Sequence, residues 1–179
     1  MSMKRIVITG GTYAGKSSIT ELFKQDGFSV VPDVGLEIIK QLNNELGQEE
    51  QKQFRANQPL KFYSKIIKKQ LEYEGGLSNK PTIFDRGIYD YIAMMKLKEI
   101  QVPPSLMQSV KKVSYDIVFV LDTLSDFSMR PTSGRSLSKE DSLKLKKMVT
   151  EIYEKLGCKI VLVKEMPLKE RYEFIKKHL

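Results

Sequence analysis

Five short apolar runs alternate along the chain with longer segments whose apolar positions recur at helical spacing. The runs are residues 4–9, 28–31, 82–84, 116–121 and 159–163. They lack the strict alternation of half-exposed strands, which is typical of strands buried on both faces of a parallel sheet. Helical patterns occupy about 16–25, 34–46, 48–74, 88–98, 105–113, 139–156 and 168–177. The order predicts an α/β three-layer sandwich, with about five parallel strands and helices on both faces.

The longest helical pattern, residues 48–74, contains Pro59. Proline removes a backbone donor and clashes with the preceding turn inside a helix. We therefore expect this segment to be split or kinked near Pro59.

A glycine-rich pattern lies between the first apolar run and the first helical segment. Residues 10–17 read GGTYAGKS, which fits G-x-x-x-x-G-K-[ST]. In such a loop, backbone N–H groups point at an anion, and the helix N-terminus adds partial positive charge. We predict that ATP binds here; a chance glycine turn is the alternative. The residues assigned to this site are Gly10, Gly11, Thr12, Tyr13, Ala14, Gly15, Lys16, Ser17 and Ser18.

Two residues of the loop and an acid from another strand are predicted to bind the phosphates and the metal ion. Lys16 would reach the β- and γ-phosphates, and the Ser17 hydroxyl would bind Mg²⁺. Asp85 ends the apolar run that includes residues 82–84. Because ligands of parallel sheets sit at the carboxyl ends of strands, its carboxylate is predicted to hold Mg²⁺ opposite Ser17. The alternative role for Asp85 is a helix cap.

Charged residues after the second and third apolar runs are candidates for the acceptor side. Arg86 is predicted to pair with a phosphoryl group or an anionic part of the acceptor. Asp33 is predicted to orient an acceptor hydroxyl and take its proton, with a helix N-cap as the alternative. Acceptor recognition is expected in the helical region 34–74. Its candidate contacts are Arg55, Asn57, Gln58, Lys61 and Tyr63. Glu37 is predicted to be a substitute for Asp33 or a neighbouring substrate contact, with a solvated side chain as the alternative.

The polar segment 123–137, which contains Pro131 and Gly134, follows the fourth apolar run. It is predicted to be a lid that brings Arg130 and Arg135 over the transferring group. A surface loop with incidental arginines is the alternative. The loop after the last strand, at residues 164–165, is expected near the nucleotide base.

Length and composition narrow the class of protein. The 179 residues, 41% hydrophobic and 29% charged, suit one soluble domain over residues 1–179. One cysteine, Cys158, and one histidine, His178, exclude an internal disulfide, a cysteine-based zinc site and histidine acid–base chemistry. Apolar runs are too short to span a membrane, and the N-terminus lacks the shape of a signal peptide. We therefore expect a cytoplasmic location.

The net charge of +8 fits either nucleic acid or a polyphosphate site with a lysine-rich exterior. No aromatic-plus-basic recognition motif accompanies the lysines, and many lie in helical segments where solvated faces explain them. Nucleic acid is therefore not expected as a partner, whereas a protein partner stays open.

Together with the glycine loop, four segments match one known group of proteins. They are VVPDVGLEII (30–39), IFDRGIYDYIAMM (83–95), YDIVFVLD (115–122) and MRPTSGRS (129–136). From Lys4 to about Ile175, the chain resembles the AAA-type ATPase-like P-loop family related to the ribosylnicotinamide kinase domain of bacterial NAD regulators. The resemblance implies a nucleoside- or nucleotide-kinase-like fold and kinase or ATPase activity. The pair Asp85-Arg86 also resembles the Asp-Arg-Ser motif of deoxynucleoside kinases.

Two positions depart from the pattern of this family, which often has a glutamate after the second strand and an arginine three residues later. This chain has Asp33 and Leu36 there. The shorter acid moves the predicted base, and the leucine removes one anion contact.

The expected activity is Mg²⁺-dependent transfer of the γ-phosphoryl group of ATP to a hydroxyl of a small nucleoside-like metabolite. The alternative is a slow ATPase or GTPase that acts as a regulatory or partner-binding module. A nucleic-acid end kinase is a third interpretation, and its acceptor affinity would fall steeply with salt. No N-K-x-D guanine motif is present, which favours ATP over GTP.

Overall fold

The computed structural model describes residues 4–77, 80–125 and 137–179. Within these ranges the strands are β1 (Arg5–Gly10), β2 (Ser29–Val31), β3 (Thr82–Asp85), β4 (Ile117–Leu121) and β5 (Lys159–Val163). The helices are α1 (Lys16–Gln25), α2 (Val34–Leu46), α3 (Gln48–Asn57), α4 (Pro59–Gly75), α5 (Ile88–Leu97), α6 (Pro104–Val110), α7 (Lys139–Lys155) and α8 (Leu168–Lys177).

All five strands pair in parallel in one sheet, in the order β2-β3-β1-β4-β5. The sheet predicted from the apolar runs is therefore confirmed. β1 lies at the centre, where Ile8 pairs with Asp85 and Gly10 pairs with Leu121. This register brings the carboxyl ends of three strands to one edge, which is where open α/β sheets bind ligands.

Both faces of the sheet are covered by helices because consecutive strand residues point in opposite directions. On one face, Ile6 and Ile8 pack with Phe23 of α1 and Ile175 of α8. On the other face, Val7 belongs to a larger apolar cluster built with α2, α4, α5 and α7. The three-layer architecture predicted from the sequence is confirmed.

The long helical segment is divided where proline predicts it. α3 ends at Asn57, and Pro59 occupies the first turn of α4. Proline is tolerated there because the N–H groups of a first turn have no partner within the helix. In the described parts of the chain, no helix is long and apolar enough to cross a membrane.

Candidate active site

The glycine loop joins β1 to α1 and contains backbone conformations that favour glycine. Gly10 has a φ of 136° and Gly15 a φ of 78°, while Tyr13 has a φ of 60°. A Cβ on Gly10 would lie 2.6 Å from the carbonyl oxygen of Leu121 on the neighbouring strand. Glycine at this position therefore meets both a dihedral and a space requirement.

We expect the Gly10→Ala variant to lose about 1–3 kcal/mol of stability, because a side chain would strain the backbone and displace β4. For a chain of this size that loss lowers Tm by about 2–12 °C. Thermal unfolding followed by circular dichroism measures it. Gly75→Ala is the control, because Gly75 is helical and has nothing within 4 Å of its added Cβ. Equal Tm values for the two variants would contradict the expectation.

Two helices distant in sequence hold the backbone of the loop. The Ser142 hydroxyl of α7 donates to the Thr12 carbonyl oxygen at 3.2 Å. The Arg171 guanidinium of α8 donates from Nη1 to the Ala14 carbonyl oxygen at 2.7 Å, and this side chain is buried. Neither residue was predicted as part of the site. Each lies in an amphipathic helix without a motif, so the sequence offered no signal for either.

Lys16 and Ser17 follow the loop at the start of α1, as predicted. Lys16 is buried, and its Nζ donates to the Gly11 carbonyl oxygen at 2.6 Å. The Ser17 hydroxyl donates to Oδ2 of Asp85 at 2.7 Å. The predicted pairing of the loop with the end of β3 is therefore present in the geometry.

Asp85 has the properties expected of a metal ligand. Its Oδ1 is buried and has no hydrogen-bond partner among the described residues. The following helix is capped instead by Gly87, whose N–H donates to Asp90 at 3.1 Å. A hydroxyl beside a carboxylate with an unused oxygen is the hard donor set that Mg²⁺ prefers. Ser17 and Asp85 therefore fit Mg²⁺, although the described residues contain no group of three or more acids, cysteines or histidines arranged to hold a metal ion.

The electrostatics around Asp85 also favour a cation. Burial raises the pKa of the Asp85 carboxyl, and the nearby charge of Asp33 raises it further. Lys16, Arg86 and the hydrogen bond from Ser17 act in the opposite direction but do not cancel the shift. An additional positive charge would stabilise the ionised carboxylate.

Arg86 lies at the centre of a buried ion-pair network. Its Nε donates to Oδ2 of Asp33 at 3.2 Å, and its Nη1 donates to Oδ1 of Asp90 at 3.3 Å. Burial alone would lower the pKa of the guanidinium, but Asp33, Asp90 and Asp85 outweigh it and raise the pKa. From its place in the sequence, Arg86 is predicted to pair with a phosphoryl group or an anionic part of the acceptor. In the structure, two carboxylates bind it.

Asp90 connects Arg86 to the rest of the fold. Its carboxylate is fully buried and accepts from Thr9, from the Tyr153 hydroxyl at 2.9 Å and from the Gly87 N–H. Burial raises the pKa of this carboxyl, while Arg86 and the hydroxyl donors lower it. Asp90 therefore links β1, α5 and α7 around the guanidinium.

Asp33 occupies the N-cap of α2. Its Oδ1 accepts from the Leu36 N–H at 3.2 Å and from the Tyr91 hydroxyl at 3.3 Å. The capping alternative is therefore present, together with the ion pair to Arg86. Asp33 lines two clefts, one shared with Ser17 and Asp85 and the other enclosed by helices.

The helix-enclosed cleft, which we call the α2–α5 cavity, has a volume of ≈ 90 Å³. Asp33 and Arg86 line it, as do the predicted contacts Arg55 and Tyr63. Its other lining residues are Thr12, Gly35, Leu36, Ile39, Phe62, Ile66, Tyr91, Met94, Leu97, Lys98 and Leu137. Asn57, Gln58 and Lys61 are exposed and do not line it. Glu37 accepts from the Tyr73 hydroxyl at 3.0 Å.

Arg130 and Arg135 of the predicted lid lie outside the described residues. Ser125 is the last described residue before Arg130 and Arg135. Its N–H and hydroxyl both donate to the Glu165 carboxylate at 2.8 Å, which connects Ser125 to the loop after β5. These two hydrogen bonds lower the pKa of the Glu165 carboxyl.

Comparisons with known proteins agree with this architecture. Deoxyadenosine kinase from M. mycoides superposes with a TM-score of 0.62 at 21% identity, over 97% of this chain and 96% of that one. Thymidylate kinase from Ehrlichia chaffeensis gives a TM-score of 0.63 at 14% identity, over 99% of both chains. NadR in complex with NR gives a TM-score of 0.65 at 11% identity, over 98% of this chain and 49% of the NadR chain.

Identities this low show the fold, which is the P-loop fold of nucleoside kinases that the sequence predicts. No curated protein matches the sequence significantly. A family model described as an AAA domain matches residues 5–171, which include the loop, β3 and the start of α8.

Proposed function

The chain belongs to the AAA_28 family of AAA domains, and we propose that it is a P-loop kinase that acts on a hydroxyl of a small nucleoside-like metabolite. The single observation that carries the proposal is the position of Asp33. Its carboxylate lines both the cleft at Ser17 and Asp85 and the α2–α5 cavity. An acceptor in that cavity would meet the phosphate-binding loop at a carboxylate.

A hydroxyl acceptor fits this carboxylate better than a phosphate acceptor. Asp33 can accept a hydrogen bond from a hydroxyl and take its proton as the bond to phosphorus forms. A phosphate group at the same place would face the like charges of Asp33 and Asp85, which line the same cleft. Burial raises the pKa of the Asp85 carboxyl, and the charge of Asp33 raises it further. The kinase folds that the chain resembles support phosphoryl transfer in general.

The roles of the other residues follow from their places. The ammonium of Lys16 would leave the Gly11 carbonyl oxygen to bind the β- and γ-phosphates of ATP. Ser17 and Asp85 would hold Mg²⁺, which when bound neutralises charge on those phosphates. Arg86 holds the Asp33 carboxylate in place through its Nε. The apolar wall of the cavity would exclude water that competes with the acceptor.

A second candidate function is slow nucleotide hydrolysis in a regulatory module. The observation that favours it is that Asp33 already caps α2 and pairs with Arg86. Leu36, in place of the arginine of the family pattern, points the same way. ADP release from Mg·ATP, measured with and without nucleosides, nucleotides, ribosylnicotinamide and short oligonucleotides, separates the two. A rise with one acceptor class supports the kinase, whereas a slow rate indifferent to every acceptor supports the module.

We expect Asp33→Asn to spare ATP binding and to reduce acceptor phosphorylation by about 100-fold or more, because the amide cannot take a proton. Phosphorylated product is measured by chromatography and ATP binding by calorimetry. Glu45→Gln, which neutralises an exposed acid on α2 that lines neither cleft, is the matched control and should retain activity. Unchanged phosphorylation in Asp33→Asn would argue against the kinase. Loss of ATP binding would place Asp33 in the donor site instead.

A further inference from the structure

We propose that the acceptor carries an acidic group at the end remote from its reacting hydroxyl, and that Arg55 and Lys98 bind this group. The inference rests on the proposed kinase function and adds the charge and shape of the substrate. It comes from how charge is distributed around the α2–α5 cavity.

Among the described residues that line this cavity, positively charged side chains outnumber negatively charged ones. Among the described lining residues, Asp33 is the single carboxylate, while Arg55, Arg86 and Lys98 are cations. Asp33 and Arg86 form an ion pair with each other at 3.2 Å. The described lining therefore carries three positive charges and one negative charge.

The cations Arg55 and Lys98 come from different elements than the residues at the reacting end. Arg55 is on α3 and Lys98 directly follows α5, whereas Asp33 and Arg86 lie at the carboxyl ends of β2 and β3. The guanidinium of Arg55 lies 5.3 Å from the centroid of the Phe62 ring, which supports it against the wall. Its Nη1 donates to the neutral Gln51 amide oxygen at 3.4 Å.

Electrostatics agree with an anion at this end. Although Lys98 as a whole is exposed, partial loss of hydration lowers the pKa of its ammonium, and the positive charge of Arg55 lowers this pKa further. Burial also lowers the pKa of the Arg55 guanidinium. Two like charges on one cavity wall repel each other, and a bound anion would offset both the repulsion and the lost hydration.

The rest of the cavity wall is mainly aromatic and apolar. Phe62, Tyr63 and Tyr91 line it together with Ile39 and Met94. Burial raises the pKa of the Tyr63 hydroxyl to about 12, and the positive charges of Arg55 and Arg86 both act in the opposite direction. A flat ring would stack or pack here, so the structure favours a ligand with a hydroxyl, a ring and an acidic group in that order.

Three matched acceptors test the inference: phenyl riboside, 4-carboxyphenyl riboside and 4-phosphophenyl riboside. Binding is measured by calorimetry without ATP, and phosphorylation by ADP release from Mg·ATP. We expect either acidic riboside to bind at least about ten-fold more tightly than the neutral one, because hydrogen bonds to charged groups are strong. Comparison of the affinities of the carboxyphenyl and phosphophenyl ribosides shows whether a carboxylate or a phosphate is the preferred group.

Arg55→Gln and Lys98→Gln should each reduce the preference for the acidic riboside, and the double variant should abolish it. The affinity for the neutral riboside and for ATP should stay within about two-fold of the parent protein. Arg55→Lys and Lys98→Arg, which keep the charge, should restore most of the preference. Lys61→Gln is the control, because Lys61 is an exposed cation on α4 that does not line the cavity.

The two proposals fail in different ways. Equal binding of neutral and acidic ribosides, or a preference that survives in the double variant, would overturn the acidic-group inference even if phosphorylation occurs. Tight, Arg55-dependent binding of an acidic riboside without any ADP release would support the inference and count against the kinase.

Discussion

Lys16→Ala is expected to lower the rate of nucleotide turnover by at least about 100-fold, because removal of one preorganised donor at a transferring group has effects of this size. The Lys16 ammonium is buried against the carbonyl oxygens of Gly11 and Gly10, at 2.6 and 3.3 Å, so it is already positioned at the loop. Phosphate binding would replace these contacts with neutral carbonyl oxygens by contacts with anionic oxygens, which attract the ammonium more strongly. No other lysine side chain is buried among the described residues.

The measurement is ADP release from Mg·ATP, with calorimetry to record nucleotide affinity. Lys16→Met keeps the apolar stem and separates loss of charge from loss of packing, since the stem is buried. Lys147→Ala removes a lysine of equal charge whose side chain is 80% exposed, and it should turn over at the parental rate. Parental turnover in both Lys16 variants would exclude the loop as the catalytic phosphate site.

Asp85→Asn is expected to reduce Mg²⁺-dependent activity by about 100- to 1,000-fold and to raise the stability of the ligand-free protein. The loss follows because an amide is a poorer Mg²⁺ ligand than a carboxylate. The gain follows because burial and the charge of Asp33 make the ionised carboxylate unfavourable in the fold. The amide can still accept the hydrogen bond that Ser17 donates at 2.7 Å.

The pH dependence of the stability gain follows from the direction of the pKa shift. A carboxyl whose pKa is raised by folding remains protonated in the folded state where the unfolded chain has already ionised. Its ionisation therefore reduces stability as pH rises from the ordinary value of 3.8 through the raised value. The advantage of Asp85→Asn should be absent near pH 3.5 and greatest at neutral pH, where about 0.5–2 kcal/mol is the usual scale of such gains.

Thermal unfolding in a chelating buffer at several pH values measures this gain. Glu173→Gln, which neutralises an exposed acid on α8, should leave Tm nearly unchanged at every pH. With excess Mg·ATP, the parent protein should regain its advantage, since a ligand that binds only the folded state stabilises it. A lower Tm for Asp85→Asn at neutral pH would refute the electrostatic account of Asp85.

The same residues that make the site unfavourable without ligand are those that suit phosphate chemistry. Asp33, Asp85 and Asp90 surround Arg86 in a region with almost no solvent exposure. Buried charges reduce stability unless they are paired and hydrogen-bonded. A functional role explains such a cluster better than a contribution to folding stability does, because unfavourable local features are expected mainly at functional sites.

The sequence by itself determined the sheet, its helical layers, the break at Pro59 and the place of the phosphate-binding loop. These features depend on residues close together in the chain: apolar runs, helical spacing, proline in a helix and glycine before a helix. Adjacent strands then bring Ser17 and Asp85 together, because parallel pairing aligns the carboxyl ends of β1 and β3.

Only the tertiary structure decided which partners complete the site. Arg171 reaches the loop across 157 positions of sequence and Ser142 across 130, and neither belongs to a local pattern. Arg86 directly follows β3, and packing of α2 and α5 brings the carboxylates of Asp33 and Asp90 to its guanidinium. The charge of the α2–α5 cavity could not be predicted from the sequence either, because side chains from separate helices become neighbours only when those helices pack.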